Sequence, residues 1–184
     1  GTNFEADNFS RVNIMQKIGI DFNSKINFQA FANYDRLKSA FDGGSFSDEV
    51  ANISFSEQFR VGFTTKYKYV KGELNFVTGY TNLERKYDTY SSWTSSVDYS
   101  YYKSRSLNAD LFNKYNFSKQ VFLILGTQFQ FMDMLEESAY ESIKNTQANF
   151  NVFDPYATLV YYSNFGLNIN AGARINNHNV YGNY

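Results

Sequence analysis

Gln58-Phe59-Arg60-Val61-Gly62-Phe63-Thr64-Thr65-Lys66-Tyr67-Lys68-Tyr69 is the stretch that decides the fold. Its odd positions carry Phe59, Val61, Phe63, Thr65, Tyr67 and Tyr69; its even positions carry Gln58, Arg60, Gly62, Thr64, Lys66 and Lys68. A period of two lays each set on one face of a strand. The run ends at Lys71-Gly72, and a second strand-like segment follows at about 73–86. Two strand-like runs joined by a short Gly-bearing turn predict a β-hairpin.

The same unit recurs outward in both directions. Short polar turns lie at Asn23-Ser24-Lys25, Lys71-Gly72, Ser118-Lys119 and Ser163-Asn164. Taking Ser24, Lys71, Ser118 and Ser163 as markers, the spacings are 47, 47 and 45 residues. Around the turns, Val12, Ile14, Ile18 and Ile20 alternate with polar neighbours, as do Ile26, Phe28, Ala30, Ala32 and Tyr34. Val121, Leu123, Leu125, Thr127, Phe129 and Phe131 form another such row, and Phe165, Leu167, Ile169, Ala171, Ala173 and Ile175 a fourth. This predicts eight long strands in four hairpins, at about 9–22, 26–41, 58–69, 73–86, 104–117, 121–131, 149–162 and 165–176. The polar segments 42–55, 87–103, 134–148 and 177–184 are expected to be the longer connections.

Composition narrows the class. A chain of 184 residues can build one domain. Lys and Arg number 17 against 18 Asp and Glu, for a net charge of −1, so the cationic surplus that nucleic acid demands is absent. There is no Cys and one His, which excludes a disulfide framework, thiolate metal sites and a multi-His centre. Aromatic residues make up 20% of the chain, yet mean hydropathy is negative. Aromatic excess with a polar mean favours strands over helices. The longest apolar run is Val121-Phe122-Leu123-Ile124-Leu125, far short of the ~20 residues of a membrane helix. A membrane β-barrel remains compatible, because each of its strands turns only half its residues to lipid.

Three features point to such a barrel. Short connections alternate with long ones, as periplasmic turns and outer loops do. Aromatics cluster beside the short turns (Phe22, Phe28, Tyr67, Tyr69, Phe76, Tyr115, Phe117, Tyr161, Tyr162, Phe165), where amphipathic rings suit a membrane interface. The segment 26–41 would reach about 53 Å at ~3.3 Å per residue, long for a soluble sandwich strand. With short turns on the periplasmic side, the first strand runs downward and the last upward. Both outermost strands then start or finish on the outer side, so 1–184 is expected to be a partial barrel domain, an antiparallel up-and-down portion of a larger transmembrane barrel.

Several segments carry a resemblance. Asn33-Tyr34-Asp35-Arg36-Leu37-Lys38-Ser39-Ala40-Phe41-Asp42, Ser56-Glu57-Gln58-Phe59-Arg60, Tyr80-Thr81-Asn82-Leu83-Glu84-Arg85, Phe112-Asn113-Lys114-Tyr115-Asn116-Phe117, Asp154-Pro155-Tyr156 and Asn170-Ala171-Gly172-Ala173-Arg174-Ile175-Asn176-Asn177-His178-Asn179-Val180-Tyr181-Gly182-Asn183 follow one another collinearly. Together they resemble TonB-dependent receptors of Bacteroidetes-type bacteria, close to those described as cobalamin-receptor-like. The resemblance covers 9–184 and rests on the series rather than on one motif. It implies a 22-stranded outer-membrane barrel occluded by an N-terminal plug, which imports scarce, bulky ligands such as siderophores, cobalamin or glycans. It implies as partners the outer-membrane lipid, the plug domain, the remaining barrel strands and the TonB complex, with a surface lipoprotein lid in some members. Neither the plug nor a TonB box is recognisable in this chain.

Candidate sites follow from residue type. Tyr87, Tyr90, Trp93, Tyr99, Tyr101 and Tyr102 lie in an expected outer loop and could stack on a sugar or flat ligand, or form an aromatic rim. Arg60, Lys66, Lys68 and Arg174 fall on polar strand faces and would face a lumen and its plug. Glu136-Glu137 and Asp42 with Asp48-Glu49 lack the spacing of a calcium loop and are read as solvated acids. His178 has no partner at triad spacing and is read as a strand-end residue. Pro155 cannot donate to a ladder and is expected at a bulge or near the outer rim. No catalytic set, metal site or cofactor site is expected. A carbohydrate-binding β-sandwich, soluble or surface-attached, and a complete small outer-membrane barrel with a structural or adhesive role are the competing readings.

Overall fold

A computed structural model describes residues 8–43, 51–139, 142–180 and 182–183. The strands are β1 (Phe9–Asp21), β2 (Ile26–Ala40), β3 (Ile53–Tyr69), β4 (Gly72–Ser91), β5 (Ser96–Asn116), β6 (Val121–Ser138), β7 (Ser142–Tyr162), β8 (Asn168–Arg174), β9 (Asn177–His178) and β10 (Gly182–Asn183). They form one antiparallel up-and-down sheet in which β1 to β7 pair in sequence, β8 and β9 both pair with β7, and β10 folds back on β9. Among the described residues no ladder joins β1 to β8, β9 or β10, so the sheet is open.

The four short turns lie where the sequence predicts them, and side chains fix three of them. Asn23 Oδ1 accepts hydrogen bonds from the backbone N–H of Lys25 and Ile26 at 2.8 and 3.0 Å. Ser118 Oγ accepts from Gln120 and Val121. Ser163 Oγ accepts from Leu167, beside Gly166 with its φ of 92°. Asn and Ser side chains replace backbone partners in this way wherever a chain reverses tightly.

The expected long connections need correction. Segment 87–103 is mostly strand: β4 continues to Ser91, β5 begins at Ser96, and only 92–95 turn between them. Segment 134–148 is also mostly strand, with a register shift between Met134 and Glu136. Segment 177–184 contains β9 and β10, and β3 begins five residues before position 58. The remaining long connection is 41–52, of which 44–50 lie outside the described residues. The cause is chemical. Beyond the apolar stretches both faces of these strands carry polar side chains, so the alternation that signals a strand disappears. The Tyr, Thr and Ser content still suits a pleated ribbon.

The eight expected strands become ten because the last is interrupted, giving β8 and β9, and because β10 folds back on β9. β8 and β9 share one register against β7, from Tyr162↔Asn168 to Val152↔His178, and break at 175–176. Pro155 lies opposite the break. Its carbonyl accepts from Ile175 N at 3.1 Å, but it has no N–H to return. A residue's N–H and C=O point to the same antiparallel neighbour, so the lost bond falls on the last strand and the β6 ladder continues through Thr127↔Pro155. Pro155 thus sits within β7 and not at the bulge, which is at Met134/Glu136.

Register assigns every side chain to one of two faces. One face carries Val12, Ile14, Ile18 and Ile20 of β1, Ile26, Phe28, Ala30, Ala32 and Tyr34 of β2, and Phe59, Val61, Phe63, Tyr67 and Tyr69 of β3. It continues through Leu74, Phe76 and Tyr80, then Leu107, Ala109, Leu111 and Tyr115. It ends in Val121, Leu123, Leu125, Phe129 and Phe131, then Phe153, Ala157, Leu159 and Tyr161, and finally Ile169, Ala171, Ala173 and Ile175. Nothing among the described residues covers it. Among the described residues the one buried apolar side chain is Val160, which belongs to the opposite face; Leu125, Ile18 and Leu159 are 49%, 61% and 47% exposed.

On the opposite face, bulky rings lie over glycines. Tyr156 crosses Gly126 to reach Asp110 two strands away, its hydroxyl donating to Asp110 Oδ1 at 3.0 Å. A Cβ at Gly126 would meet Tyr156 Oη at 2.5 Å and Phe112 Cβ at 2.7 Å. At Gly79 the nearest atom to such a Cβ is Val61 O at 3.7 Å. Gly126→Ala is therefore expected to destabilise by about 1–3 kcal/mol through overpacking, whereas Gly79→Ala should be close to neutral. Equilibrium denaturation of the two variants, in the medium in which the protein folds, checks the contrast.

Candidate functional site

The charge-free band is the first element of the site. On the apolar face the stretches 12–22, 26–34, 59–69, 72–80, 107–115, 121–131 and 153–161 contain no Asp, Glu, Lys or Arg. Each stretch is nine to eleven residues long, the ~9–11 residues that a tilted strand needs to cross a bilayer. The polar exceptions on this face are Gln16, Thr65, Thr78, Asn113 and Thr127. Tyr69 donates its hydroxyl to Asn113 Oδ1 at 2.7 Å across Gly72, so the amide does not stand alone. Rings gather at the lower edge, with Tyr67 and Tyr69 at 6.4 Å and Tyr115 and Phe117 at 5.1 Å between centroids. Phe28, Phe63 and Phe76 form a continuous row above them.

Over the same span the other face carries all the charge: Lys17, Asp21, Arg60, Lys66, Lys68, Glu73, Asp110, Lys114, Asp154 and Arg174. The four cations named from the sequence, Arg60, Lys66, Lys68 and Arg174, therefore share one face. Arg60 Nη2 donates to Asn33 Oδ1 at 3.0 Å, and Asn33 in turn donates to Ile14 O. Arg174 binds Asp154 through Nε at 3.0 Å and also donates to Gln128. Lys66 stands 4.0 Å from Glu73. Asn33, Asn75 and Asp154 on this face are buried, so polar groups are enclosed here while apolar groups stay open on the other side.

The six loop aromatics do not form one cluster. Tyr87 and Tyr102 lie on the polar face, 6.1 Å apart in an edge-on pair. Together with Leu83, Arg85, Thr89, Ser100, Ser104 and Met134 they line a recess of about 550 Å³ above the level of the band. Tyr90, Tyr99 and Tyr101 lie on the apolar-side face, and Trp93 stands 97% exposed in the 92–95 turn. Strand parity separates them, and a loop reading ignores parity. Arg85 and Met134 escaped the sequence reading; the signal for Arg85 is its spacing of two from Tyr87.

Other candidates resolve singly. His178 ends β9, stacks on Phe150 at 5.2 Å between centroids, and accepts from Val180 N through Nδ1. Glu136 and Glu137 occupy the far end of β6, and Asp42 follows β2; Asp48 and Glu49 lie outside the described residues.

Beyond the band, charge returns to the apolar-side face. Lys103 Nζ donates to Glu84 Oε1 at 2.7 Å, and Arg105 grips Asp133 through Nε at 3.0 Å and a second, shorter bond. The Lys103 hydrogen bond holds the Glu84 carboxyl below its ordinary value, against the opposing effect of partial burial. The same bond raises the Lys103 ammonium. A lowered carboxyl contributes stability above its unfolded pKa that is lost as pH falls through the folded one. In Lys103→Met, Glu84 should titrate at a higher pH than in the parent protein. Carboxyl-carbon NMR titration reads the shift directly.

Comparison with known proteins finds no matching family model, no matching curated protein and no matching solved structure.

Proposed function

We propose that this chain is part of an outer-membrane β-barrel, and that the barrel is a TonB-dependent receptor importing a scarce, bulky ligand of the siderophore, cobalamin or glycan kind. The single observation that carries the membrane reading is the charge-free band, nine to eleven residues tall on strand after strand, on a face that the described residues leave uncovered. In water that face would lose the burial that folds soluble domains, about 25 cal/mol per Å² of apolar surface. A lipid bilayer supplies the missing cover, and it tolerates strands because their backbone groups are satisfied sideways. A β-sandwich would need a second sheet against this face, and the described residues form one sheet. A complete eight-stranded barrel would need a β1 ladder to the last strand, which the described residues lack.

The receptor reading rests on the collinear sequence resemblance and fits the polar face. Charges of both signs there suit a wall that meets a folded plug rather than a uniformly charged pore. Arg60, Lys66, Lys68 and Arg174 would contact plug or lumen water. In a barrel the Tyr87–Tyr102 recess with Arg85 opens inward above the membrane, where an arriving ligand first meets the wall. Aromatic faces beside a guanidinium suit a bulky ligand with flat and anionic parts. Tyr90, Tyr99 and Tyr101 face outward as a rim, and Trp93 caps the β4–β5 tip. The two open edges of the sheet, β1 and the β8–β9–β10 side, are where further strands would pair to close the family's 22-stranded barrel.

Two measurements test the reading. Leu125→Arg, near the middle of the band, should cost about 2–4 kcal/mol in a lipid-reconstituted barrel, while Thr64→Arg at similar height on the other face should cost far less. Equal costs would contradict the membrane facing. Uptake should stop when the proton-motive force is collapsed; ligand entry that continues would argue against a TonB-driven receptor while leaving the barrel intact.

A further inference from the structure

Above the band, the outward face carries a row of cations that the import reading does not use. Register aligns Lys38, Phe55, Lys86 and Tyr101 side by side across β2, β3, β4 and β5. Arg36 lies one row nearer the band on β2. The Arg36 guanidinium sits over the Phe55 ring at 5.1 Å, and Lys86 Nζ lies 5.9 Å from the same ring and 5.5 Å from that of Tyr101. Arg36, Lys38 and Lys86 are all exposed. Glu57 lies opposite Arg36, and Asp88 borders the group, yet no ion pair forms between these three cations and a carboxylate among the described residues. Glu84, two residues from Lys86 on β4, is occupied by Lys103. Arg36 and Lys86 stand over the rings, and with Lys38 they border a depression of about 350 Å³ whose lining also includes Phe55, Tyr99 and one carboxylate, Asp88.

Height and spacing indicate an occupant. On β2 the band ends at Tyr34, so Arg36 and Lys38 lie about 7 and 13 Å further along the strand, and less above the acyl region once the strand is tilted. That is headgroup level. Strands about 4.8 Å apart set Lys38 and Lys86 roughly 10 Å from each other, the scale of two phosphates carried on opposite ends of a disaccharide. We propose that Arg36, Lys38 and Lys86 bind the phosphates of an anionic, phosphorylated-disaccharide lipid of the outer leaflet, with Phe55 and Tyr101 packing against its sugar. The inference rests on the membrane reading above, since the cations are outward only if the apolar face meets lipid.

The test uses the full-length protein, reconstituted in phosphatidylcholine nanodiscs and titrated with diphosphorylated lipid A, its monophosphorylated form, its dephosphorylated form and inorganic phosphate. Binding is expected to weaken in that order of lipids, with no effect of inorganic phosphate. Each cation near a charged headgroup contributes about 1 kcal/mol, so Lys86→Gln should weaken binding about fivefold and the Arg36→Gln/Lys38→Gln/Lys86→Gln variant about a hundredfold. Lys38→Arg/Lys86→Arg should restore it, and Lys119→Gln at the opposite end should change nothing. Equal binding by parent and triple variant, or equal binding of phosphorylated and dephosphorylated lipid, overturns the site. So does competition by inorganic phosphate at matched concentration, which would assign the cations to a free anion. Failure of the protein to insert into the nanodisc overturns the membrane reading itself, and is seen before any lipid is titrated.

Discussion

The structure depends on one constraint: a charge-free band on one sheet face, nine to eleven residues tall, that nothing among the described residues covers. Most folds bury such a face against a second layer. Here the strands satisfy their backbone groups laterally, and the side chains of the apolar face are left for the surroundings to accommodate. The polar face shows the complementary arrangement. Asn33, Asn75 and Asp154 are enclosed there by neighbouring side chains, and Arg174, Asp154 and Gln128 form a linked set. The usual order of apolar inside and polar outside is reversed in the sense that a barrel in lipid requires.

The level at which this constraint ends is visible on the strands themselves. Below Tyr34, Phe59 and Tyr80 the apolar face has no charge; just beyond them come Arg36, Glu57, Glu84, Lys103, Arg105 and Asp133. The strands do not stop at this boundary. β4, β5 and β7 run to 20, 21 and 21 residues, about twice what a bilayer requires. In their upper halves both faces carry polar side chains, and cation–ring contacts and ion pairs take the place of the apolar rows.

The parts of the fold that were legible in the sequence are those where the chemistry of the two sheet faces differs. The alternation in 58–69, 121–131 and 165–176, and the turn residues Asn23, Lys71, Ser118 and Ser163, sufficed to assign hairpins, faces and the common side of Arg60, Lys66, Lys68 and Arg174. Segments 87–103 and 134–148 were misread as loops because polar side chains on both faces remove the periodic signal while leaving the strand intact. The aromatic group was misjudged for the same reason. Tyr87 and Tyr101 lie on opposite faces, a separation that only register reveals. Pro155 was rightly flagged as a ladder defect. That the defect falls on the last strand follows from which neighbour its carbonyl faces, and no sequence pattern encodes that.

The central claim is that the apolar face touches acyl chains. In a Trp93→Phe background, a single tryptophan introduced at Leu125 or at Thr64 can be read by quenching with lipids brominated along the acyl chain. The account predicts strong quenching at position 125, greatest for bromines near the bilayer centre, and little at position 64. Comparable quenching at the two positions, or none at 125 in protein that has folded in vesicles, would contradict it.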